Sequence, residues 1–465
     1  MTMPLSPKER LAVGQQRRKQ MRRTEHGVWK AKQRREDPLN LMEKSMHGRV
    51  PALAALKYER MEASPFGYFR GAVPVMAYDF SLATNTGILT QLCGDAHVRN
   101  LGAYAGSDGR LVFDINDFDE TIAGPFEWDV KRMATSLVLA GREAGANDGN
   151  CREAAEVFLY RYRRTVAALA RMPVLEVARF QVHRLRNVPT VKRILEVAQR
   201  ATATDTLKAL TQVNGRSNKS VKNTNPEQKT KTGLPTKPPR IFKNTPPVLK
   251  RLKAAEADRI VASLGKYVKS LSPERQKFFL QYRPVDVAFK VVGTGSIGLR
   301  DYCIYMVGNG PKDPLFIQIK EEVASAYAPY LRHSRGNGNH PIHQGQRVVE
   351  GERLMQLQSD PFLGWTTLEG HDYLVRQLND HKASVKLDDL RQAGLVEYAR
   401  VCGDLLARGH ARAGDCSMLS GYLGVSGRFE AAVANFAMAY ADQTDRDWRE
   451  LVRARKKSAS ARPKV

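Results

Sequence analysis

The stretch Leu92–Arg132 constrains the fold more than any other part of the chain, because it places many carboxylates among apolar residues. It contains two polar motifs, GDAHVRN over residues 94–100 and DINDFDE over residues 114–120, next to β-type runs at 88–92 and 111–113. An Asp, an Asn five residues later and a further Asp after a hairpin are the groups that metal-assisted phosphoryl transfer needs. In this interpretation, one Asp orients the attacking hydroxyl and accepts its proton, while the Asn and the second Asp hold Mg²⁺ against phosphates.

A glycine-rich turn, GTGSIG over residues 293–298, lies between two predicted strands. Alone this pattern is a weak indicator, and a tight hairpin that needs glycine dihedrals is the alternative. A dinucleotide-binding loop would open a helix, whereas residues 300–307 predict a strand. A glycine-rich turn between strands is typical of loops whose N–H groups cover the phosphates of ATP. The predicted phosphate-binding residues of this turn are Gly293, Gly295, Ser296 and Gly298.

A third predicted strand, Leu315–Lys320, ends in a single lysine. Such a lysine is often only an edge residue that discourages aggregation. After a glycine-rich turn, however, it is expected to bind the α- and β-phosphates, and a Glu on the next helix should hold it. Glu350 and Glu352 are both candidates for that role, and we predict Glu350.

The net charge of +26 restricts the classes of partner. Much of the charge falls in polar stretches at both ends of the chain and at 214–247, which favours solubility or tethering; nucleic acid is an alternative partner that this distribution does not favour. No apolar run is long enough to span a membrane, and the first twenty residues lack the apolar core of a signal peptide. The five cysteines are scattered without metal spacing, so a reduced, cytoplasmic location is expected.

The hydrophobic periodicity divides the chain into six regions. Residues 38–213 are predicted to carry the catalytic loop and the helical part of a large lobe, which helices in 385–448 complete. Residues 248–384 are predicted to form a small β-rich nucleotide-binding lobe. The other regions are a flexible basic N-terminal region (1–37), a Pro/Lys-rich linker or excursion (214–247) and a basic tail (449–465).

Taken together, these motifs resemble the protein-kinase-like superfamily, above all its aminoglycoside and choline phosphotransferase branch, whose catalytic loop has the pattern His-Gly-Asp-x-His-x-x-Asn. Here residues 93–100 are CGDAHVRN, so Cys93 replaces the first His. The resemblance implies a two-lobed α+β fold, with a small antiparallel β lobe and a large mainly helical lobe, and ATP and Mg²⁺ as cofactors. It assigns the catalytic loop to Asp95, His97 and Asn100.

The same resemblance selects the metal ligands. Asp117 is followed twelve residues later by Asp129, the spacing expected of that branch, so Asp117 and Asn100 are the implied ligands. Asp119 could support a second ion. Asp129 is expected to brace the catalytic loop.

The chain from about Leu39 to Asp445 also resembles a bacterial family catalogued as domain of unknown function 2252, in phrases such as RMEASPF (60–66), QRVVE (346–350) and HARAGD (410–415). That family implies no substrate. In ordinary kinases the glycine-rich loop and the lysine precede the catalytic loop, whereas here they follow it by about two hundred residues. We therefore hypothesise a circular permutation; the alternative is that 293–298 belongs to an unrelated α+β domain. The permutation requires Lys320 and Asp117 to face each other across one cleft.

The sequence thus predicts an ATP- and Mg²⁺-dependent phosphotransferase that acts on a hydroxyl of an unknown small molecule or protein. One alternative is a non-catalytic nucleotide-binding scaffold with a basic surface for nucleic acid or acidic partners. The other is a nucleotidyl (AMP) transferase on the same fold, because both reactions use the same phosphate cradle.

Overall fold

A six-stranded antiparallel sheet and a body of helices make up most of this α+β chain. The computed structural model describes residues 3–180, 188–214, 234–235, 238–291, 295–331, 342–378, 381–391 and 393–460. Among the helices of these ranges, none is both long and apolar enough to cross a bilayer.

The helices, in chain order, are α1 (Pro7–Gln20), α2 (Pro38–Lys44), α3 (Ala54–Glu62), α4 (Pro65–Gly71), α5 (Val73–Ser81), α6 (Phe126–Glu143), α7 (Asp148–Leu169), α8 (Val174–Arg179), α9 (Pro189–Arg200), α10 (Ala203–Leu210), α11 (Ala254–Ser270), α12 (Pro273–Phe279), α13 (Gln344–Met355), α14 (Ala393–Ala413), α15 (Cys416–Leu423) and α16 (Arg428–Ser460). The strands are β1 (Leu89–Leu92), β2 (Leu101–Ala105), β3 (Leu111–Ile115), β4 (Ile122–Pro125), β5 (Thr211–Val213), β6 (Arg240–Phe242), β7 (Leu249–Arg251), β8 (Arg283–Lys290), β9 (Asp301–Val307), β10 (Pro314–Glu322), β11 (Gly364–Leu368), β12 (His371–Gln377) and β13 (Ala383–Ser384).

The large sheet has the strand order β11-β12-β10-β9-β8-β7, and every neighbouring pair is antiparallel. Its centre is β10, whose nine residues are all buried, as expected of a strand covered on both faces. Helix α11 packs against β11 and α13 against β12. The predicted strand, glycine-rich turn and second strand are confirmed as β8 and β9 on either side of the turn.

The helical body is built around α7 and α14, which pack along each other, with α6 and α16 beside them. Apolar residues at helical spacing on these helices form the largest core cluster. The short pair β1–β4 and the sheet β13-β2-β3 lie on this body. Because β1, β2 and β3 flank residues 93–100 and 116–121, these small sheets position both polar motifs.

The N-terminal region, expected to be flexible, is ordered over its described residues. A capping box at Ser6 starts α1, and Gly14 packs so closely on α15 that a Cβ would lie 2.0 Å from the carbonyl oxygen of Met418. Arg18 donates to the carbonyl oxygen of Tyr422 at 2.9 Å. Basic side chains of this region bind carbonyl oxygens about four hundred residues away, which composition does not reveal.

The expected basic tail is also largely helical. Helix α16 continues to Ser460. In its last three turns Leu451 is buried and Arg455 pairs with Glu62 at 2.6 Å. Residues 461–465 lie outside the described ranges, as does most of the proposed linker at 214–247. The described part of that linker contains β6, which pairs with β5.

Candidate active site

The catalytic-loop motif begins where β1 ends, and backbone contacts fix its path. Gly94 has φ +82°, and a Cβ there would lie 2.1 Å from the carbonyl oxygen of Glu120, so only glycine fits. The Asp129 carboxylate accepts from the N–H groups of Cys93 (2.8 Å) and Gly94 (3.0 Å). The predicted bracing role of Asp129 is therefore confirmed.

Asp95 is held by a buried arginine that the sequence analysis did not identify. The Nε and Nη2 atoms of Arg132 donate to Oδ1 of Asp95 at 2.8 and 2.5 Å. Arg132 is completely buried, whereas 15% of the Asp95 side chain is exposed. Burial raises the pKa of Asp95, and Arg132 opposes that effect. The second oxygen, Oδ2, is left for other contacts.

His97 steadies the same loop. Its Nδ1 lies 3.2 Å from the backbone N of Arg99, and its Nε2 lies 3.5 Å from Oδ2 of Asp95 and 3.4 Å from Nε of Arg70. Burial, followed by the charge of Arg70, lowers the pKa of His97 well below its ordinary value. His97 is therefore a neutral residue that faces Asp95.

Asn100 connects the two polar motifs. Its Nδ2 donates to the carbonyl oxygen of Asp95 at 2.8 Å, and its own carbonyl oxygen accepts from the N–H of Asn116 at 3.0 Å. With Nδ2 engaged in this way, the side-chain oxygen is the atom that can serve as a ligand.

Lys320 reaches across from the large sheet to the Asp-rich motif. Its ammonium donates to Oδ2 of Asp119 and lies 3.7 Å from Oε1 of Glu322. Lys320 and Glu322 are two residues apart on β10 and so point to the same side of the sheet. Lys320 is therefore in contact with Asp119, and its charge also acts on Asp117.

The charges of Asp117, Asp119, Lys320 and Glu322 shift the pKa values of the three carboxyl groups. Burial, followed by the charge of Asp119, raises the pKa of Asp117 to about 6. Burial also disfavours ionisation of Asp119, but Lys320 outweighs it and lowers the pKa of Asp119 to about 2. Burial and then Asp119 raise the pKa of Glu322 well above its ordinary value. Paired carboxylates with diverging pKa values are typical of functional sites.

Glu350 does not hold Lys320, which corrects the sequence-based prediction. Its side chain is exposed on α13 and accepts from Nε2 of Gln346 at 2.7 Å. Glu352, the other candidate, is buried, and the charge of Arg376 acts on it. Residues 350 and 352 lie on different faces of α13, and their positions in the sequence did not show which of the two faces is buried.

Residues 295–298, the described part of the glycine-rich turn, contact basic side chains, and Gly295 and Ser296 line the cleft. Gly293 lies outside the described residues. The carbonyl oxygen of Gly295 accepts from Nη1 of Arg49 (3.0 Å) and from Nζ of Lys57 (3.2 Å). Gly298 has φ +96°, and a Cβ there would lie 3.0 Å from the Cβ of Arg49, so a side chain would be strained.

These parts together line one cleft of about 610 Å³, part of which is open to solvent. Predicted site residues in its lining are Asp95, His97, Asn100, Asp117, Asp119, Gly295 and Ser296. The other lining residues are Arg49, Arg70, Val73, Glu120, Leu299, Glu322 and Val323. Within the described ranges, no group of three or more His, Cys, Asp or Glu side chains is placed to hold a metal ion by itself.

Two of the unpredicted residues had a signal in the sequence. Arg132 follows Asp129 by three residues on α6, the spacing that puts two side chains on one helix face. Glu322 follows Lys320 by two residues on a strand, which also puts both on one face. Arg49 had no such signal, because its contacts with Gly295 and Ile297 join segments almost 250 residues apart.

The fold and site define an α+β protein whose acidic cleft lies between a glycine-rich hairpin and a catalytic-loop-like motif. A family model described as "Uncharacterized protein conserved in bacteria (DUF2252)" matches residues 49–454, and the chain belongs to that family. Neither a curated protein nor a solved structure matches the chain.

Proposed function

We propose that the chain is an ATP- and Mg²⁺-dependent phosphotransferase with a kinase-like fold whose parts occur in permuted order. The observation that carries this proposal is the shared cleft. Asp95, Asn100, Asp117 and Asp119 line it together with Gly295 and Ser296, and Lys320 is bonded to Asp119.

The path of the chain supports the permutation. The large sheet carries a helix, α13, between β10 and β11, and its glycine-rich turn between β8 and β9. Near the C-terminal end of the chain, α14 lies against β1: the hydroxyl of Thr90 on β1 donates to the carbonyl oxygen of His410 on α14 at 3.2 Å. A helix late in the sequence therefore adjoins the strand that leads into the catalytic loop.

The donor set fits a divalent cation bound together with phosphates. Oε1 of Glu322 is buried and has no hydrogen-bond partner among the described residues, and the pKa of Asp117 is raised by its like-charged neighbour. A cation at Asn100, Asp117 and Asp119 would relieve this crowding, and Mg²⁺ commonly combines one or two carboxylates with substrate phosphates. When bound, Mg²⁺ would supply charge neutralisation at the phosphoryl group.

The roles of the chain's own residues follow from their positions. Asp95, held at Oδ1 by Arg132, presents Oδ2 to orient an acceptor hydroxyl and take its proton. Lys320 and the N–H groups of the glycine-rich turn bind the phosphates, and the neutral His97 keeps the loop in place. Asp119 and Glu322, rather than Glu350, position Lys320.

The test is Asp95→Ala, with nucleotide binding and turnover measured separately. ATP should bind within about threefold of wild type, while transfer falls about 10³-fold, the order of a general base combined with an orienting group. Mass spectrometry of the products distinguishes ADP, expected here, from AMP and pyrophosphate, which would indicate nucleotidyl transfer. Undiminished turnover in Asp95→Ala would exclude Asp95 as the base. The control Arg152→Gln changes a half-buried side chain on α7 whose partners, Glu156 and Asn435, do not line the cleft, and it should behave as wild type.

A further inference from the structure

The Arg70 guanidinium is a cation in the cleft whose charge no described carboxylate pairs with. It belongs to α4 and lines the cleft, and its Nε lies 3.4 Å from Nε2 of His97. The fully buried Arg132 and Arg408, by contrast, are in direct contact with Asp95 and Asp114, whereas Asp95 and Asp117 act on Arg70 only from a distance. Arg70 therefore keeps two Nη groups for a ligand.

A second cation of the same kind lies nearby. Arg49 also lines the cleft, and its hydrogen bonds go to the carbonyl oxygens of Ser45, Gly295 and Ile297, none of which carries a charge. The backbone of the turn lies near both residues, since a Cβ on Gly295 would lie 3.7 Å from the backbone carbonyl oxygen of Arg70. Two arginines without a carboxylate in ion-pair contact thus line the same cleft.

Arg70 lies at the end of the cleft that belongs to Asp95. His97 Nε2 is 3.4 Å from Arg70 Nε and 3.5 Å from Asp95 Oδ2, so the guanidinium is within about 7 Å of the proposed base. Lys320 is instead bonded to Asp119 in the Asp-rich motif. A ligand at Arg70 would therefore sit beside the acceptor hydroxyl, whereas Lys320 and the glycine-rich turn serve the nucleotide.

We infer that the acceptor is a small alcohol that carries an anionic group, a phosphate or a carboxylate, which Arg70 binds with help from Arg49. This inference rests on the proposed function. Guanidinium groups bind such anions in a bidentate manner, which fixes orientation as well as position. With the anion at Arg70, a hydroxyl two or three bonds further along the molecule reaches Oδ2 of Asp95.

The experiment is calorimetric titration with inorganic phosphate and, separately, with acetate, on the full chain saturated with Mg²⁺ and a non-hydrolysable ATP analogue. Phosphate should bind to wild type and bind at least tenfold more weakly to Arg70→Gln, with analogue affinity within twofold. The ratio of phosphate to acetate affinity distinguishes the two anion classes. Arg152→Gln is the matched control, and Arg70→Lys, which keeps the charge but loses the fork, should weaken phosphate binding about fivefold.

Equal phosphate affinity in wild type and Arg70→Gln would overturn the inference, as would displacement of phosphate by the nucleotide analogue, since Arg70 would then serve the nucleotide. If Arg70→Gln does not fold, Arg70→Lys decides, because phosphate binding equal to wild type contradicts a bidentate site. Failure of the proposed function looks different: the analogue would then not bind at all, and titration of phosphate without nucleotide would still test Arg70.

Discussion

Two clusters of buried charge in this protein have similar composition but different hydrogen bonding. The first, here called the seam cluster, joins the N-terminal segment to α16. Arg34 donates to Asp79 at 2.9 and 2.5 Å and to Asp447 at 2.8 Å. Tyr440 donates to Asp79 at 2.6 Å and Gln443 to Asp447 at 2.7 Å. Each carboxylate therefore has more than one donor.

The second, here called the cleft cluster, consists of Asp117, Asp119, Lys320 and Glu322. Its ammonium pairs with two of the three carboxylates, Asp119 and Glu322, and Oε1 of Glu322 has no hydrogen-bond partner among the described residues. Asp117 lies next to a like charge that helps to raise its pKa, which the charges of Lys320 and Arg376 oppose. Unlike the seam cluster, its three carboxylates line a cleft that is partly open to solvent.

The difference separates a structural cluster from a functional one. When one partner of a fully paired buried ion pair is removed, the folded protein loses much stability, because the other charge stays buried without a partner. A group left short of donors and cations is costly in the folded chain and becomes favourable when a ligand supplies them. The seam cluster should thus respond to mutation in stability, and the cleft cluster in ligand binding and turnover.

The largest expected effect is on the seam cluster. Arg34→Met leaves Asp79 and Asp447 buried without their cation, so the free energy of unfolding should fall by about 3–5 kcal/mol. Urea denaturation followed by circular dichroism measures this. The control is Arg110→Met, whose side chain is exposed and 3.9 Å from Asp108, and which should change stability by less than about 0.5 kcal/mol. A loss below 1 kcal/mol for Arg34→Met would remove the distinction between the clusters.

The next effect is on turnover. Lys320→Met removes the cation expected to bind the phosphates, and transfer should fall about 10²-fold, as when a single stabilising donor is removed from an active site. ADP release under saturating Mg²⁺ and ATP measures it, with the far-ultraviolet circular dichroism spectrum as the test of folding. Turnover within twofold of wild type would show that Lys320 is only structural.

A smaller effect should appear in the pH dependence of stability. The folded chain holds the Asp117 proton more tightly than the unfolded chain, with a pKa of about 6 against an ordinary 3.8. This contribution is complete below pH 3.8 and is lost as the pH rises through 6. Asp117→Asn should therefore exceed wild type in stability by about 3 kcal/mol at pH 7.5 and by about 1 kcal/mol at pH 4.5. Urea titrations at both pH values would refute this if the gap were constant.

The smallest effect should come from Glu350→Gln. Because Glu350 is exposed and bonded to Gln346, its loss should change turnover by less than about twofold. Glu322→Gln, matched in chemistry, removes a carboxylate 3.7 Å from the Lys320 ammonium and should lower turnover about tenfold, because the charge of Glu322 helps to hold that ammonium in position. Equal effects of the two substitutions would restore Glu350 as a candidate partner.

Local periodicity was enough to predict the elements that carry the site. Alternation and glycine positions gave β8, β9 and the turn between them, and the run 88–92 gave β1. The motif at 94–100 and the Asp-rich motif line one cleft, and Lys320 contacts Asp119 of the Asp-rich motif. These predictions depend on short segments whose pattern is set by one buried face.

Tertiary contacts explain what the sequence could not predict. Lys320 pairs with Asp119 and not with Glu350, because β10 lies next to the Asp-rich motif, whereas Glu350 lies on the solvent-exposed face of α13. The N-terminal arginines are ordered by carbonyl groups and carboxylates far along the chain, such as Arg34 with Asp447. Charge patterns in a basic region are the same whether such partners exist or not.

The most direct test of the central claim is a crystal structure of the full chain with Mg²⁺ and a non-hydrolysable ATP analogue. The account predicts phosphates between Gly295–Ser296 and Lys320, a metal ion at Asn100, Asp117 and Asp119, and the terminal phosphate facing Oδ2 of Asp95. A nucleotide bound elsewhere, or a cleft that stays without nucleotide at millimolar concentrations while the protein is folded, would contradict it.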